Sequence, residues 1–384
     1  MKRRNQSNHL LLLGASLLPG MGHIALGKHS RGIPLLAFTL AIILLLYWRW
    51  QVFLNVFNTT WFDYWLAAVF LIASLAACVI YSVWDVRRLL TATPKGPQGK
   101  SPFQLARRRF TANRMAVTAL YMIAVLYILA ILAPLLAPYD PAAITDVLST
   151  RYLPPSTEHL FGTDEFGRDL LSRALYGARV SLSVGLLAVL VAISLGTVYG
   201  AVAGYFGGFI DSILMRIVDV IISFPTFFLM LMLVGIFEAN IVFLVLILGL
   251  TSWPGTARFI RGELLSLKQR EFTDAARAIG LPNRLIIFRH LIPNAMSPIL
   301  ISAALMIGGM IGAEAGLSFL GIGIRPPTPS WGNMVSAGKD ALLVAWWVAF
   351  FPGALLALTV LCFNLLADGL RDALDPKSLM RRFV

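Results

Sequence analysis

Long apolar runs decide what this chain can fold into. Several of them approach or exceed the roughly 20 residues that a helix needs to cross the ~30 Å hydrocarbon core of a bilayer. The composition agrees, because 58% of the 384 residues are hydrophobic and only 13% are charged, far from the usage of soluble domains. Short segments of alternating polarity, which are typical of outer-membrane barrels, are not seen. The sequence therefore predicts an all-α membrane protein.

The apolar runs predict about eight transmembrane helices. Their ranges are 33–47, 65–81, 117–138, 181–205, 217–237, 241–253, 297–320 and 343–366. Some runs are short or contain Gly and Pro, which a bundle of neighbouring helices tolerates. The apolar run after the first four residues is followed by no A-x-A-like cleavage site, so we expect the N-terminus to be retained.

Lys and Arg residues predict the orientation of these spans, since short cytoplasmic loops collect them. The segment between the second and third spans contains one acid, Asp85, and a run of basic residues: Arg87, Arg88, Lys95, Lys100, Arg107, Arg108, Arg109 and Arg114. We predict that this segment is cytoplasmic. The alternation of spans then places both termini and the loop 258–296 in the cytoplasm, and the acidic loop 140–177 outside.

The net charge of +13 does not require a nucleic-acid partner. The basic residues lie in loops next to predicted spans, where anionic lipid headgroups and the orientation rule account for them. We therefore predict a protein whose surroundings are the lipid bilayer and which binds no nucleic acid.

The chain divides into two parts. Residues 1–100 form an N-terminal extension with two predicted spans, and it ends in a basic cytoplasmic linker rich in Pro, Gly and Lys, a composition that separates structural units. Residues 101–384 contain six predicted spans and all the loops with distinctive motifs. We expect the function to reside there.

One stretch of the extension is similar to a nucleotide-binding loop. Residues 22–28, GHIALGK, fit the pattern G-x-x-x-x-G-K, but His29 stands where the hydroxyl that binds Mg²⁺ belongs. A phosphate loop also joins a strand to a helix in a soluble domain, whereas this stretch precedes a membrane span. A short hairpin packed closely through its glycines is the preferred interpretation, and no cofactor is predicted for this chain.

A polar segment, residues 274–294 (DAARAIGLPNRLIIFRHLIPN), lies between two predicted spans. Four residues in and before it follow the helical spacing i, i+3, i+4 and i+7: Phe272, Ala275, Ala276 and Ile279. This spacing predicts a helix over 273–279, capped by Thr273 and ended by Gly280 in the left-handed conformation. Pro282 then suits the start of a second short helix, which Pro293 would end.

Two roles are open for this segment. It could rest on the bilayer, with Arg277, Arg284 and Arg289 reaching lipid headgroups. Alternatively it could dock a partner protein, because Ala275 and Ala276 bury too little area for a membrane anchor but allow close approach to the backbone. We favour docking.

Two acids inside predicted spans are candidate residues of a translocation pathway. Glu314 lies within a span, where a carboxylate costs several kcal/mol unless it faces a cavity or a partner. The alternative for Glu314 is a hydrogen bond to a neighbouring helix near the outer end of the span. Asp219 lies at the inner end of its span, where the spacing to Arg216 predicts a structural ion pair.

The sequence predicts neither a catalytic site nor a metal site. No G-x-S-x-G or H-E-x-x-H motif occurs. The acids of the predicted outer loop, among them Asp164, Glu165 and Asp169, are of the kind that turns and helix caps use.

The polar segment resembles the EAA loop of ABC-importer permeases, whose pattern is E-A-A, three residues, G, nine residues, I-x-L-P. The residues that match are Asp274-Ala275-Ala276, Gly280 and Pro293. Asp274 replaces Glu and keeps the negative charge near a helix N-terminus, where it is favourable. His290 and Ile292 replace Ile and Leu, and RHLIPN at 289–294 is similar to the R-H-I-L-P-N form of the peptide and nickel branch.

Further motifs extend this resemblance over about 105–376. They are HLFGTDEFGRDLLSR at 159–173, AGYFGG at 203–208, MRIVD at 215–219, EAGLSFLG at 314–321 and PPTPSWG at 326–332. Together they resemble the second permease subunit of dipeptide and oligopeptide importers. The two leading spans are additional, since such subunits usually have six.

The resemblance implies a type I ABC importer transmembrane domain that pairs with a second, homologous permease as a heterodimer. It implies two cytoplasmic ABC ATPase subunits, which bind the ATP, and an extracytoplasmic solute-binding protein, in the plasma membrane of a bacterium or an archaeon. The residues that would dock the ATPases are Asp274, Ala275, Ala276, Gly280, Arg289, His290, Pro293 and Asn294.

The expected substrate is a dipeptide or oligopeptide, and a nickel or other small-solute importer remains the alternative within the family. The alternative from a different class is an ion-driven secondary transporter. That class predicts inverted repeats with paired intramembrane charges, for which the sequence gives little support.

Overall fold

The computed structural model describes residues 15–48, 62–91, 102–144, 146–237 and 240–374, apart from residue 17. Within these ranges the regular secondary structure is helical, with an isolated β-bridge between Thr163 and Asp169. The basic linker predicted at the end of the N-terminal extension and the two chain ends lie outside the described residues.

The chain separates into two compact units, of which the first comprises Met1–Lys100 and Ile131–Leu136 and the second Ser101–Ala130 and Ala137–Val384. The described helices of the N-terminal part are α1 (Met21–Ala25), α2 (His29–Trp48) and α3 (Phe62–Thr91).

Close glycine packing and a buried histidine hold α1 to its neighbours. A Cβ added at Gly32 would lie 2.8 Å from the carbonyl oxygen of Gly20, a backbone atom that cannot rotate away, so a glycine is required at this point of α2. His23 of α1 is fully buried, and its Nε2 lies 3.1 Å from Oδ2 of Asp85 on α3. Arg31 donates to the same oxygen at 3.0 Å. The predicted close packing is confirmed at Gly20 and Gly32, whereas a Cβ at Gly27 would meet nothing within 4 Å. The segment forms the helix Met21–Ala25 followed by a turn.

The remaining helices follow in chain order. They are α4 (Pro102–Ala112), α5 (Arg114–Ile131), α6 (Ala133–Leu136), α7 (Val147–Thr150), α8 (Leu170–Phe206), α9 (Gly208–Ile222), α10 (Thr226–Ile236), α11 (Ile241–Lys268), α12 (Glu271–Ala278), α13 (Asn283–Leu285), α14 (Ile292–Asn294), α15 (Met296–Phe319), α16 (Trp331–Lys339) and α17 (Trp347–Leu374), with a π-helix at Ile286–Leu291 between α13 and α14.

Six helices of the described ranges are long and apolar enough to cross a membrane: α5, α8, α11, α15, α17 and the part of α3 at Leu66–Arg87. A seventh span exists if α9 and α10 count as one, but their axes bend by 76°. The predicted span 217–237 is therefore broken near Pro225, which has no N–H to donate to the preceding turn. The predicted span 33–47 corresponds to the shorter apolar stretch His29–Leu45. The predicted number of about eight counts this stretch as one span and the bent pair α9 and α10 as another.

Helices α8 and α11 pack along a row of glycines. A Cβ at Gly196 would lie 2.5 Å from Cβ of Thr256, and one at Gly204 would lie 2.9 Å from the carbonyl oxygen of Arg261. A Cβ at Gly200 would collide with the carbonyl oxygen of Ala257. Because the three glycines recur every four residues, they lie on one face of α8, and the backbones of the two helices touch there.

The loop before α8 is held together by its own acids. Asp164 accepts a hydrogen bond from Nε of Arg168 at 2.7 Å and two more from backbone N–H groups. Asp169 caps α8 by accepting from the N–H of Ser172 at 2.8 Å. Its other oxygen lies 2.9 Å from Nδ1 of His159. These acids therefore serve turns and a helix cap.

Candidate functional site

The segment singled out by its polarity is a short helix followed by a glycine turn. Gly280 has φ of 76°, and the N–H of Leu281 donates to the carbonyl oxygen of Ala276 at 3.2 Å, as in a Schellman motif. The predicted left-handed conformation of Gly280 is confirmed. The prediction that Thr273 caps the helix is wrong, because α12 begins at Glu271 and the Thr273 hydroxyl instead donates to the carbonyl oxygen of Leu267 at 2.9 Å.

The two adjacent alanines of this helix differ in exposure. Ala276 is 5% exposed and packs in a hydrophobic cluster, whereas Ala275 is exposed. Ile279 is 75% exposed, and the side chain of Asp274 is exposed beside Arg277, whose Nη1 lies 3.3 Å from it. The apolar face predicted from the sequence is thus divided between an inner side, with Ala276, and an outer side, with Ala275 and Ile279.

Helical backbone continues past the glycine turn as far as Asn294. Pro293 lies within α14, which ends one residue later than predicted, at Asn294, and the wider π-helix Ile286–Leu291 precedes it. A proline ring clashes with the carbonyl four residues earlier in a regular α-helix, and widened turns are one of the ways in which helices accommodate such interruptions. The side-chain amide of Asn294 donates to the carbonyl oxygen of His290 at 2.6 Å.

An open groove lies on the exposed side of this second helical stretch. Its lining mixes apolar and basic side chains: Pro282, Arg284, Leu285, Phe288, Arg289 and Pro293. Phe288 is 49% exposed. Together with the outer side of α12, this groove forms what we call the coupling surface, defined by residues 274–294.

A buried cluster beneath the coupling surface connects it to three long helices. We call it the loop–span cluster, and its buried members are Ala201, Tyr205, Ile260, Leu264, Ala276, Ile286, Ile287, Leu291, Ala295 and Ile299. The hydroxyl of Tyr205, near the end of α8, donates to Oδ1 of Asn283 at 2.7 Å, and the guanidinium of Arg277 lies over the Tyr205 ring at 5.4 Å. The cluster therefore packs side chains of the segment 276–291 directly against side chains of α8, α11 and α15.

Two ion pairs join α9 to α11. The predicted pairing of Asp219 with Arg216 is wrong, because Oδ1 of Asp219 accepts from Nη2 of Arg258 at 2.7 Å. Closer to the start of α9, Asp211 accepts two hydrogen bonds from Arg261, at 2.5 and 2.6 Å. Both pairs cross between helices, which the i, i+3 spacing could not indicate.

Glu314 of α15 is fully enclosed. Its two carboxylate oxygens accept hydrogen bonds from the hydroxyls of Ser181 on α8, at 3.1 Å, and Ser318, at 2.8 Å. Each serine in turn accepts from a backbone N–H, of Trp331 for Ser181 and of Ile324 for Ser318, both at 3.2 Å. This geometry fits the second of the two roles expected for Glu314, a hydrogen bond to a neighbouring helix.

Sequence reasoning did not predict that Arg258 and Asp211 form ion pairs between α9 and α11, or that Tyr205 bonds to the segment 274–294. The ion pairs had a signal in the sequence, because opposite charges within neighbouring spans tend to pair in an apolar environment. The role of Tyr205 had no such signal, since a tyrosine at the end of a span is also typical of the membrane interface.

Two family models match the chain. Residues 196–379 match the binding-protein-dependent transport system inner membrane component, and residues 101–155 match the N-terminal TM domain of oligopeptide transport permease C. Residues 1–100 lie outside both matches.

Several proteins of known name are similar to this chain. The oligopeptide transport system permease protein OppC of Haemophilus influenzae is 41% identical over 73% of this chain and 90% of its own length. The dipeptide transport system permease protein DppC of Bacillus subtilis is 41% identical over 71% and 85%. The glutathione transport system permease protein GsiD of Escherichia coli O157:H7 is 41% identical over 77% and 97%. The chain therefore belongs to the family of inner membrane components of binding-protein-dependent transport systems.

Proposed function

We propose that this chain is a permease subunit of an ABC importer that takes up peptides across the plasma membrane of a bacterium or an archaeon. The names of its relatives support a peptide substrate, since they transport oligopeptides, dipeptides and glutathione. In this proposal the chain forms half of the translocation pathway with a second, homologous permease. Two ABC ATPase subunits supply the hydrolysis of ATP, and a solute-binding protein delivers the peptide.

The observation that supports coupling to the ATPases is the division of α12 into two sides. Ala275 and Ile279 are exposed to a partner, while Ala276 is fixed in the loop–span cluster. A partner that holds the outer side therefore moves the cluster with it, and the cluster carries side chains of α8, α11 and α15. Rigid-body motion of packed helices is a common route of alternating access in transporters.

The mixed character of the groove supports a protein partner over lipid. Arg284 and Arg289 line it beside Leu285, Phe288 and Pro293, and arginines with aromatic residues are enriched in the cores of protein interfaces. In this proposal Asp274, Gly280 and His290 belong to the same coupling surface. We propose that it receives a segment of one ATPase subunit.

We propose that Asp219 is a residue of the translocation pathway, because its side chain is about half exposed on a predicted span. For Glu314 we propose a structural role, since both of its oxygens are bound within the helix bundle.

The experiment that tests the docking proposal compares two exposed aliphatic residues. Ile279→Asp places a charge on the outer side of α12, and Leu148→Asp places one on an exposed residue of the loop before α8, predicted to lie outside. Each chain, tagged at the C-terminus, is purified from native membranes in mild detergent, and the ATPase subunits that accompany it are quantified.

We expect Ile279→Asp to weaken the association by at least about tenfold, as follows from losing roughly 1.5–3 kcal/mol of apolar burial. Leu148→Asp should retain the ATPases at the wild-type ratio. Equal retention by both variants would contradict docking through the coupling surface. An Ala276→Arg variant is unsuitable for this test, because it would disrupt the loop–span cluster directly.

A further inference from the structure

Glu314 supports a segment that lies beyond its own helix. Ser181 and Ser318 donate their hydroxyl protons to its carboxylate, at 3.1 and 2.8 Å. Each serine also accepts a hydrogen bond of 3.2 Å from a backbone N–H, that of Trp331 for Ser181 and that of Ile324 for Ser318. Because a hydroxyl has a single proton, the carboxylate fixes the direction in which each serine presents its lone pairs. Glu314 therefore attaches Ile324 and Trp331 to the helix bundle through the two serines.

The segment between these two attachments is folded on itself. The side-chain amide of Asn333 donates to the carbonyl oxygens of Ile324 at 3.1 Å and Thr328 at 2.8 Å. The side-chain oxygen of Asn333 accepts from the N–H of Ser330 at 3.0 Å, and the Ser330 hydroxyl accepts from the N–H of Asn333, which forms a capping box at the start of α16. We call residues 322–339, which comprise this segment and α16, the cap segment.

The cap segment packs closely against both α8 and α15. Trp331 is fully buried, and its Nε1 donates to the carbonyl oxygen of Ala174 on α8 at 3.0 Å. A Cβ added at Gly332 would lie 2.6 Å from Cα of Ala315 on α15, so the backbones of α16 and α15 meet there. The Glu314 network is the polar part of this contact.

Helices α8 and α15 enter the loop–span cluster at their opposite ends. On α8, Tyr205 belongs to that cluster and Ser181 to the Glu314 network, and at roughly 1.5 Å per residue the two lie about 36 Å apart along the helix axis. On α15, Ile299 belongs to the cluster and lies about 22 Å from Glu314 by the same rise. The two helices therefore connect the coupling surface to the cap segment. In the proposed importer α15 crosses the membrane, so these two regions lie on opposite sides of it.

We propose that Glu314 is a positioning residue that makes the cap segment move together with α8 and α15 during transport. A motion imposed at the coupling surface then displaces the cap segment. In the other direction, the arrival of a loaded solute-binding protein at the cap side is communicated to the ATPases. This inference rests on the proposed function of an ABC importer, and it adds a residue on which communication between the two ends depends.

A carboxylate suits this role better than a neutral residue of the same size. Both of its oxygens accept hydrogen bonds, whereas the amide of a glutamine has one acceptor oxygen and an NH₂ group that donates. With glutamine at this position, either Ser181 or Ser318 loses the acceptor of its hydroxyl proton. An enclosed carboxylate within a span is unfavourable unless its oxygens are bound, so a residue that only filled space here would not need to be an acid.

The test uses the complete transporter, purified with its ATPases and reconstituted in lipid nanodiscs. The variants are Glu314→Gln, which keeps the volume, and Ser318→Ala, which removes a single hydroxyl. Thr359→Val on α17 is the matched control, because it removes a buried hydroxyl whose hydrogen bond lies within its own helix, to the carbonyl oxygen of Leu355 at 2.7 Å.

Two quantities are measured for each transporter. The first is hydrogen–deuterium exchange, followed by mass spectrometry of peptides that cover the cap segment, with peptides from the start of α15 as the reference. The second is the ratio of ATP hydrolysis in the presence of the solute-binding protein and a casein hydrolysate to hydrolysis in their absence.

We expect slow exchange of the cap segment in the wild type, because Ile324 and Trp331 are buried and their N–H groups are bound. Glu314→Gln should accelerate this exchange at least about tenfold, as the loss of a hydrogen bond to a charged group predicts, and should leave the reference peptides unchanged. The hydrolysis ratio should fall at least about fivefold, since coupling between distant sites is typically of this size or larger. Ser318→Ala should change both quantities in the same direction, and Thr359→Val should change neither.

Unchanged exchange of the cap segment in Glu314→Gln and Ser318→Ala would overturn the positioning role. Faster exchange combined with the wild-type hydrolysis ratio would overturn it as well, because that is the result of a purely structural role. If Glu314→Gln does not assemble, Ser318→Ala decides between these outcomes. The response of the wild type separates the two proposals: hydrolysis that does not respond to the binding protein and peptides overturns the proposed function itself, whereas a normal response with unaffected variants overturns the role of Glu314 alone.

Discussion

Gly200 is a point at which a single added methyl group should strongly disturb helix packing. A Cβ at this position would collide with the carbonyl oxygen of Ala257 and lie 3.0 Å from the backbone nitrogen of Arg261. Both obstacles are backbone atoms, which cannot rotate away as a flexible side chain can. Gly200→Ala therefore requires α8 and α11 to separate locally.

Two effects of opposite sign decide the magnitude. Alanine is favoured over glycine in a helix interior by roughly 0.8–1.0 kcal/mol, whereas overpacking a close-packed interior costs typically about 1–3 kcal/mol. Because the collision is with backbone, we expect the upper part of the second range, and hence a net loss of about 1–2 kcal/mol. Gly262→Ala on α11 is the matched control, since a Cβ there meets nothing within 4 Å.

The assay is reversible unfolding of the purified chain by SDS added to lipid–detergent micelles, followed by circular dichroism. Gly200→Ala should unfold at a lower SDS fraction than the wild type, and Gly262→Ala at the same or a higher fraction. If Gly200→Ala is as stable as Gly262→Ala, then α8 and α11 do not meet through this glycine. The proposal that these two helices move together when a partner binds the coupling surface would then be weakened.

Two further predictions concern the loop before α8 and the end of that helix. Asp164→Ala leaves the buried guanidinium of Arg168 without its partner, which should cost roughly 3–5 kcal/mol and make the loop sensitive to limited trypsin digestion, whereas the neighbouring Glu165→Gln should stay resistant. Tyr205→Phe removes the hydroxyl that donates to Asn283 at 2.7 Å and should lower stability by only about 0.5–1.5 kcal/mol. In proteoliposomes it should reduce peptide uptake per ATP hydrolysed, and an unchanged ratio would show that this hydrogen bond does not contribute to coupling.

The sequence predicted the helical, membrane-spanning class and the glycine turn because both depend on local chemistry. Apolar runs need lipid or protein around them whatever their partners are, and Gly280 has the same conformational freedom in any context. The bend between α9 and α10 was harder to predict. Pro225 marks it, but prolines are tolerated within membrane helices, as Pro254 inside α11 illustrates.

The parts that the sequence could not predict depend on tertiary contacts. Ala275 and Ala276 differ by 100° around the helix axis, so their assignment to the outer and inner sides depends on where the loop–span cluster lies. Asp219 had a suitable partner at i−3, and only the positions of α9 and α11 favour Arg258 instead. In both cases more than one residue fitted the helical spacing, and the packing of the helices determines which of them makes the contact.

The most direct test of the account is ATP-driven uptake by proteoliposomes that contain this chain with the subunits that co-purify with it and the solute-binding protein. Labelled di- and oligopeptides and labelled Ni²⁺ are supplied outside in parallel, with ATP or a non-hydrolysable analogue inside. We predict that peptides accumulate only with ATP and that Ile279→Asp abolishes their accumulation. Accumulation of Ni²⁺ without peptides would contradict the peptide substrate, and uptake driven by an ion gradient in the absence of ATP would contradict the ABC importer itself.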